Sequence, residues 1–564
     1  MRRLFQSLSV MFVVSGLILC SLFPAMPVSA DPATAHVMLP ADSGLDPVSL
    51  GRDDSSGRTI DENLFVGLTR YDAAANQVQK VLASNWTVSD DGLTWTFTLR
   101  NDVQWVAYNS GSGQVRAIRP VVAGDFVYAI RRACQPTAPF PAAHTIYIVS
   151  GCRTIATANP QFIDDVFMAR ELAVSALSDQ TLEIKLEIAD PHFDMLLSLP
   201  EFRPVPREAI ARGIDWTKPD TIITDGPYAL GDTSADGQSM TLVRNTLWPD
   251  KPSGNVERVA ITFGASADNI TQQFTVGTAD YATLDATSAA ALQKAKADLV
   301  KSGPGDSVTV LGFSSERPGI NKESFRRALS QAVNRDALVN ATLPGLALST
   351  SRFTPPGVLA GPATPPDNSG FDLNAAKGAM SGAGVKSCIL SGKLFLIVED
   401  TPQNAAIGQN LIDQWRTAFG CGPDVFSLLK DSAEHVSNVA GGMINTYDTN
   451  SNPRPDLWLY TWTPDYPDAN AWTGDALHCV DGFLKSGVDC GDADGLVDKA
   501  FTEPDNAQRA SDYAEAETDW FGPSGTFPVA PLYVWLAFAG QQPWLTGATV
   551  TGPQYFANWT LAAH

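Results

Sequence analysis

The chain has 564 residues, of which 44% are hydrophobic and 18% charged, with a formal net charge of −22. Such a chain is too apolar to be disordered and too long for one ordinary domain, so two or three domains are expected. Its excess of carboxylates argues against nucleic acid or anionic lipid as partner, since both attract Lys/Arg surfaces.

Arg2 and Arg3 precede an uncharged apolar run from Leu8 to Phe23, followed by Pro24, Pro27 and Val28-Ser29-Ala30. A basic start, a short apolar core and an A-x-A-like end predict a secretory signal peptide over 1–30, cleaved after Ala30. A lipid on Cys20 is not expected, because Leu19 precedes it where a small residue is needed. From Trp520 to His564 there is no Lys, Arg, Asp or Glu, but Pro528 and Pro531 interrupt the apolar core, which reads as a buried strand rather than a membrane span. The protein is therefore expected outside the cytoplasmic membrane. Beyond Cys20 the cysteines are Cys134, Cys152, Cys388, Cys421, Cys479 and Cys490. An even count in an exported chain predicts disulfides, and neighbour pairing (134–152, 388–421, 479–490) is the expected choice among fifteen. No C-x2-C spacing occurs, so a zinc site is not expected.

In chain order, a short strand, a turn at Asp46-Pro47 and a polar loop precede a helix carrying Ile60, Leu64 and Phe65. Asp91-Gly92 between two alternating runs predicts a hairpin. VAYNSGSGQVRAIRP reads as an inserted loop and GDFVYAIRRAC as a helix. A strand, a Pro-interrupted helix and a loop cover LEIKLEIADPHFDMLLSLPEFRPVPREAI, and Gly226-Pro227 marks a turn. MTLVRNTLWPDK and ERVAITFGAS read as paired strands. From Val308 a further α/β region follows: one amphipathic helix over ESFRRALSQAVNRDALVNATL, a strand at KLFLIVED, and a helix at AIGQNLIDQWRTAFG. DLWLYTW is a buried strand, with Leu457 and Leu459 on one face and Trp458, Tyr460 and Trp462 on the other. ADGLVDKAFTEPDNAQRASDYAEAETDWF is helical, and uncharged strands close the chain.

The strand at DLWLYTW breaks at Pro464 into a segment that sets Asp465 and Asp468 among Trp462, Tyr466 and Trp472. A carboxylate walled by rings attracts a cation. The same residues read equally well as a capped strand end with surface acids. There is no G-x-S-x-G, H-E-x-x-H, Walker loop or G-x-G-x-x-G, and Asp492-Ala493-Asp494-Gly495 lacks the rest of a calcium loop, so binding without catalysis, cofactor or metal is expected.

Taken in order, NLFVGLTRYD, LASNWTVSDDGLTWTFTLRNDVQW, GDFVYAIRRAC, ITDGPYAL, SFRRALSQAVNRDALV, FTPPGV and TWTPDYPDANAW resemble the extracytoplasmic solute-binding proteins of the dipeptide/oligopeptide (family 5) type that serve ABC importers. The resemblance spans nearly the whole mature chain. It implies an α/β, two-lobed periplasmic-binding-protein-like fold (type II) with an additional small α+β domain. Lobe I would comprise 31–74, 221–308 and 520–564, the extra domain 75–220, and lobe II 309–519. Such a receptor captures a peptide by hinge closure and hands it to membrane permease subunits; a monomer is expected. The resemblance makes Asp465 the anchor of the ligand's α-amino group and Trp462 and Tyr466 pocket walls. Tyr533 and Trp535 become candidates from the C-terminal strand, with core packing as their rival reading. Asp53, Asp54 and Ser55 would present backbone to an extended ligand, with a solvated loop as the alternative. Asp468 gains nothing from the resemblance and reads as a turn cap. The family also implies alternatives (oligosaccharide, nickel-chelate or haem ligands), and an exported hydrolase or sensor on this scaffold is the reading of another class. The chain departs from the family at Asp225, where Asn is common, and at SSERPGINKES.

Overall fold

The structure, a computed structural model, describes residues 33–41, 44–51, 54–73, 75–136, 143–317, 319–364, 366, 370–385, 393–444 and 454–563. The first part of the chain lays down β1 (Thr34–Leu39), the helix Ser55–Leu64, and the hairpin of β2 (Thr69–Asp72) and β3 (Gln77–Lys80). Asp46 caps the turn at Pro47–Ser49, as Asp-Pro predicts.

β4 (Ala83–Val88) and β5 (Thr94–Leu99) form the hairpin expected around Asp91-Gly92, with Gly92 at φ +72°. Trp95, Phe97 and Leu99 face inward while the threonines between them are more exposed. The expected loop at VAYNSGSGQVRAIRP is instead a second hairpin, β6 (Gln104–Asn109) and β7 (Gln114–Pro120). The Ser/Gly cluster fills only the turn, where Asn109 Oδ1 accepts the Ser112 N–H and Gly113 takes φ +68°. The helix Ala123–Ala133 follows, then β8 (Val174–Ser178) and β9 (Thr181–Lys185), which complete a four-stranded sheet in the order β4-β5-β9-β8. The Cys134–Cys152 disulfide fastens the end of that helix.

The chain returns at Asp225-Gly226-Pro227 to β10 (Tyr228–Thr233), β11 (Ser239–Arg244), β12 (Arg258–Phe263) and β13 (Tyr281–Leu284). β14 (Val300–Phe313) is long. It is followed by β15 (Ala347–Ser349), β16 (Leu394–Glu399), β17 (Phe426–Asp431), β18 (Leu457–Trp462), the long β19 (Val529–Gln541), and the short pair β20 (Leu545–Thr546) and β21 (Thr560–Leu561). Among the described residues, one sheet runs β10-β11-β12-β1-β13-β19-β14-β18-β16-β17, with β15 beside β19. β14 and β19 carry it from one half of the molecule to the other. β19 pairs with β13 only through Phe538–Gln541, and β14 pairs with β18 through Val308–Phe313. Residues 520–537 pack with the second half: Trp520, Phe521 and Phe527 in one of its cores, Ala530, Leu532 and Tyr533 in the other.

Period-two alternation explains those two cores. Leu311, Phe313, Leu457 and Leu459 pack on one face, and Val308, Val310, Trp458 and Trp462 on the other. Gly312 stands opposite Trp458, and a Cβ there would come within 2.1 Å of the indole. Gly312→Ala is expected to lower stability by about 1–3 kcal/mol through overpacking, read as a reduced midpoint in urea.

Two predicted helices are each broken in two. Glu323–Gln331 and Arg335–Thr342 are separate because Asn334 accepts the Ala337 N–H and starts a new helix. Asp492–Thr502 and Asn506–Phe521 part at Pro504, where Asp505 caps the second by accepting from Gln508 N.

The return turn is tightly seated. A Cβ on Gly226 would lie 2.4 Å from the Asn63 carbonyl oxygen, so only glycine fits. Asp225 is fully buried; its Oδ1 accepts the Val66 N–H at 3.1 Å, and among the described residues Oδ2 has no hydrogen-bond partner. Burial pushes this carboxyl well above its ordinary range, helped by Asp125 and opposed by the Val66 N–H and Arg203. Its protonated form is favoured, and in that form it resembles the Asn common at this place. A raised native pKa contributes stability at low pH that is lost as pH rises through it. Asp225→Asn is therefore expected to raise the melting temperature more in alkaline than in acidic buffer.

Candidate functional site

Pro464 and Pro467 lack the N–H a ladder needs, so β18 cannot continue past Trp462. The chain turns, and Asp468 restarts regular structure by accepting the Asn470 N–H at 2.9 Å as the cap of the helix Ala469–Leu477. The turn is braced by the loop at 358–361, with Leu359 N–H donating to the Pro467 carbonyl and Ala469 N–H to the Leu359 carbonyl. Asp468 also pairs with Arg509 through two bonds of 2.9 and 2.7 Å, and both side chains are 2% exposed. Its capping role thus matches the sequence reading, while the Arg509 partner had no local signal.

Trp462 is buried in a core of the second half, and its indole N–H donates to the Ala471 carbonyl at 3.0 Å. Tyr466 belongs to the core of the first half, and its hydroxyl accepts from Asn470 Nδ2 at 3.0 Å. Four residues thus step from one half to the other, and Asp465, 8% exposed, lies on that step. Glu201, in the first half, is buried and accepts the Thr145 hydroxyl at 2.5 Å. Burial pushes its carboxyl up; Thr145 and Arg58 oppose this, and the Asp465 charge adds to it. Sequence reasoning missed Glu201, whose only signal is an acid inside the apolar run SLPEF.

Tyr533 and Trp535 lie on β19, which pairs with the part of β14 that also pairs with the Trp462 end of β18. Tyr533 is fully buried, edge-on to Trp535 at 5.5 Å, and packs as a core residue. Trp535 is half-buried and donates its indole N–H to Thr309 Oγ1 at 3.2 Å. Asp54 caps the helix Ser55–Leu64, its Oδ1 accepting the Gly57 N–H at 2.7 Å, and Ser55 is the exposed first residue of that helix. Asp53 lies outside the described residues, as does Cys388 and with it the expected 388–421 bridge. The Cys134–Cys152 and Cys479–Cys490 disulfides are present as paired from the sequence. His478, Cys479 and Asp494 lie close enough to share an ion. However, the disulfide consumes the Cys479 sulfur, and Asp494 accepts the N–H groups of Cys479 and Gly491. Among the described residues no helix is long and apolar enough to cross a membrane.

The sequence profile of the bacterial extracellular solute-binding proteins, family 5 (middle region), matches residues 77–483, and the chain belongs to that family. It is 25% identical over 544 residues to the periplasmic murein peptide-binding protein MppA of Escherichia coli, covering 94% of this chain and 89% of that one. It is 24% identical over 527 residues to the oligopeptide-binding protein OppA of Bacillus subtilis, covering 90% and 89%. A probable deoxycholate-binding periplasmic protein of Escherichia coli, YgiS, is 27% identical over 439 residues, covering 73% and 77%. Among solved structures, the unliganded open form of MppA superposes with a TM-score of 0.77 at 21% identity, covering 95% of this chain and 98% of that one. Listeria monocytogenes OppA bound to peptide gives 0.62 at 18% identity, covering 95% and 100%. The two-lobed type II fold expected from the sequence is the fold of this family.

Proposed function

We propose that this protein is an exported receptor of an ABC importer that captures peptides with a free amino terminus between its two lobes and delivers them to the permease. The observation that carries this reading is Asp465, an acid buried where the chain steps between halves. A ligand ammonium taken out of water there requires such a partner. The names of the relatives, oligopeptide- and murein-peptide-binding, support the ligand class. A bile acid, the ligand in the name of YgiS, is an anion and suits a site holding Asp465 and Glu201 poorly. The lobes are those the sequence implies, 31–74, 221–308 and 520–564 against 309–519, with 75–220 as the extra domain. Residues 520–537, which pack in the cores of the second half, are the exception and go with lobe II.

The chain acts as a monomer and binds without catalysis, cofactor or nucleic acid, outside the cytoplasmic membrane after cleavage at Ala30. Ligand contacts made by both lobes favour the closed state, which the permease recognises. Native mass spectrometry of whatever co-purifies, followed by calorimetry with the peptide found and its N-acetylated form, tests the reading. Tight binding of the free peptide and loss on acetylation is expected. Recovery of only sugars, metal chelates or bile acids would overturn the ligand class.

A further inference from the structure

The turn after β9 is tied to the second half of the molecule at a place remote in sequence. Asp190 Oδ1 accepts the His192 N–H at 2.8 Å and fixes the turn; His192 Nε2 donates to the Glu503 carbonyl at 2.8 Å. Glu503 ends the helix Asp492–Thr502, and Arg509 of the next helix donates to the Ala500 carbonyl while holding Asp468. Asp190 is 4% exposed, and His192 and Asp194 are half-buried. From β2, the Asp194 carbonyl receives the Thr69 hydroxyl, and the phenol of Tyr71 senses the Asp468 charge. The junction thus brings three carboxyl groups (Asp190, Asp194 and Asp468) near one guanidinium, Arg509, which Asp468 already engages; Glu503 takes part through its backbone carbonyl, while its carboxylate accepts the Asp505 N–H. Tyr466 and Tyr513, their phenols pushed up by burial, Asp475 beside Tyr466, and Lys499, paired with Asp512 and close to Glu503, are further titratable groups here.

We propose that this junction is a proton-controlled clamp between the two halves, tightened as the medium is acidified from mildly alkaline to mildly acidic. In alkaline solution the ionised Asp190 and Asp194 add their charges to that of Asp468 nearby, and like charges in a buried place repel strongly. Protonation removes both charges and leaves the His192–Glu503 bond intact. Burial pushes Asp190 up to about 7 and Asp194 up to about 6, with the Asp468 charge adding in each case. Carboxyls raised in this way stabilise the contact at low pH, and that stability is lost as pH rises through about 6 to 7. Burial, then Arg509, lowers His192 from its ordinary 6.5, so its contribution runs the other way and is lost as pH falls. Two carboxyls outweigh one imidazole, and contact takes up protons overall.

Amide hydrogen exchange of the mature protein, read by mass spectrometry at pH ~6 and ~8 and corrected for intrinsic chemical rates, tests this. Segments 188–196 and 500–510 are expected to be about tenfold more protected at the lower pH, the linkage of a single pK unit. Asp190→Asn with Asp194→Asn is expected to show the same high protection at both. Equal protection in the parent protein, or an undiminished pH ratio in the double variant, overturns the clamp. Should near-ultraviolet circular dichroism show the double variant unfolded, Asp194→Asn alone is expected to reduce the ratio, and an unchanged ratio is equally fatal. His192→Gln keeps a side-chain N–H for Glu503 without a titrating ring and is expected to preserve the pH ratio; its loss would assign the effect to the histidine and overturn the carboxyl mechanism.

Discussion

Asp465→Ala is expected to weaken the binding of a peptide with a free amino terminus at least about 30-fold, or about 2 kcal/mol or more. The ammonium would then lose its charge partner in a site with little water, so the penalty is that of a buried, unpaired cation. Asp465→Asn keeps the shape and one acceptor but not the charge, and is expected to recover only a small part. An N-acetylated peptide carries no charge there and is expected to bind both forms with similar, weak affinity. Calorimetry on the three proteins checks this, and equal affinity of parent and alanine variant for the free peptide would move the anchor elsewhere. Because Trp462 and Tyr466 pack into the cores of different halves, the loss is expected in affinity with little change in fold.

A second large effect is expected at Arg509. Arg509→Met would leave the Asp468 carboxylate 2% exposed and without its two guanidinium bonds, a situation that costs about 3–5 kcal/mol. Asp468→Ala would strand the guanidinium and remove the cap of the helix Ala469–Leu477, with a loss of similar size. Once either partner is gone, removing the other should cost little more, so the double variant is expected to be no less stable than the single ones. Urea unfolding of the four proteins gives the coupling directly, and strictly additive losses would refute it. Since the same turn carries Asp465, peptide affinity is expected to fall in Arg509→Met as well.

How much of this was legible in the sequence follows from where each signal sits. Strands with clean alternation, such as Thr94–Leu99 and Leu457–Trp462, were readable because one face meets a core. So were the caps at Asp46 and Asp468 and the turn at Asp225-Gly226-Pro227, whose residue types carry the geometry. The hairpin at 104–120 was not, because its Gly/Ser turn dominates the composition while its strands are short and half-exposed. The two broken helices were missed because amphipathic spacing continues across Asn334 and Pro504, and a cap inside such a pattern is silent. At the site, Asp465 could be singled out by order along the chain. Glu201, Asp190, His192 and Arg509 could not, because their meaning comes from partners far away in sequence.

β19 has a bearing on how the molecule comes into being. Both halves need it: β13 finds its neighbour in Phe538–Gln541, and β14 is covered by Val529–Pro531, Tyr533–Val534 and Leu536–Gly540. Neither half can finish its share of the large sheet before β19 is in place, so the two halves complete that sheet together. A single strand therefore ties the assembly of the two halves into one cooperative event, and loss of its pairing would be felt in both at once.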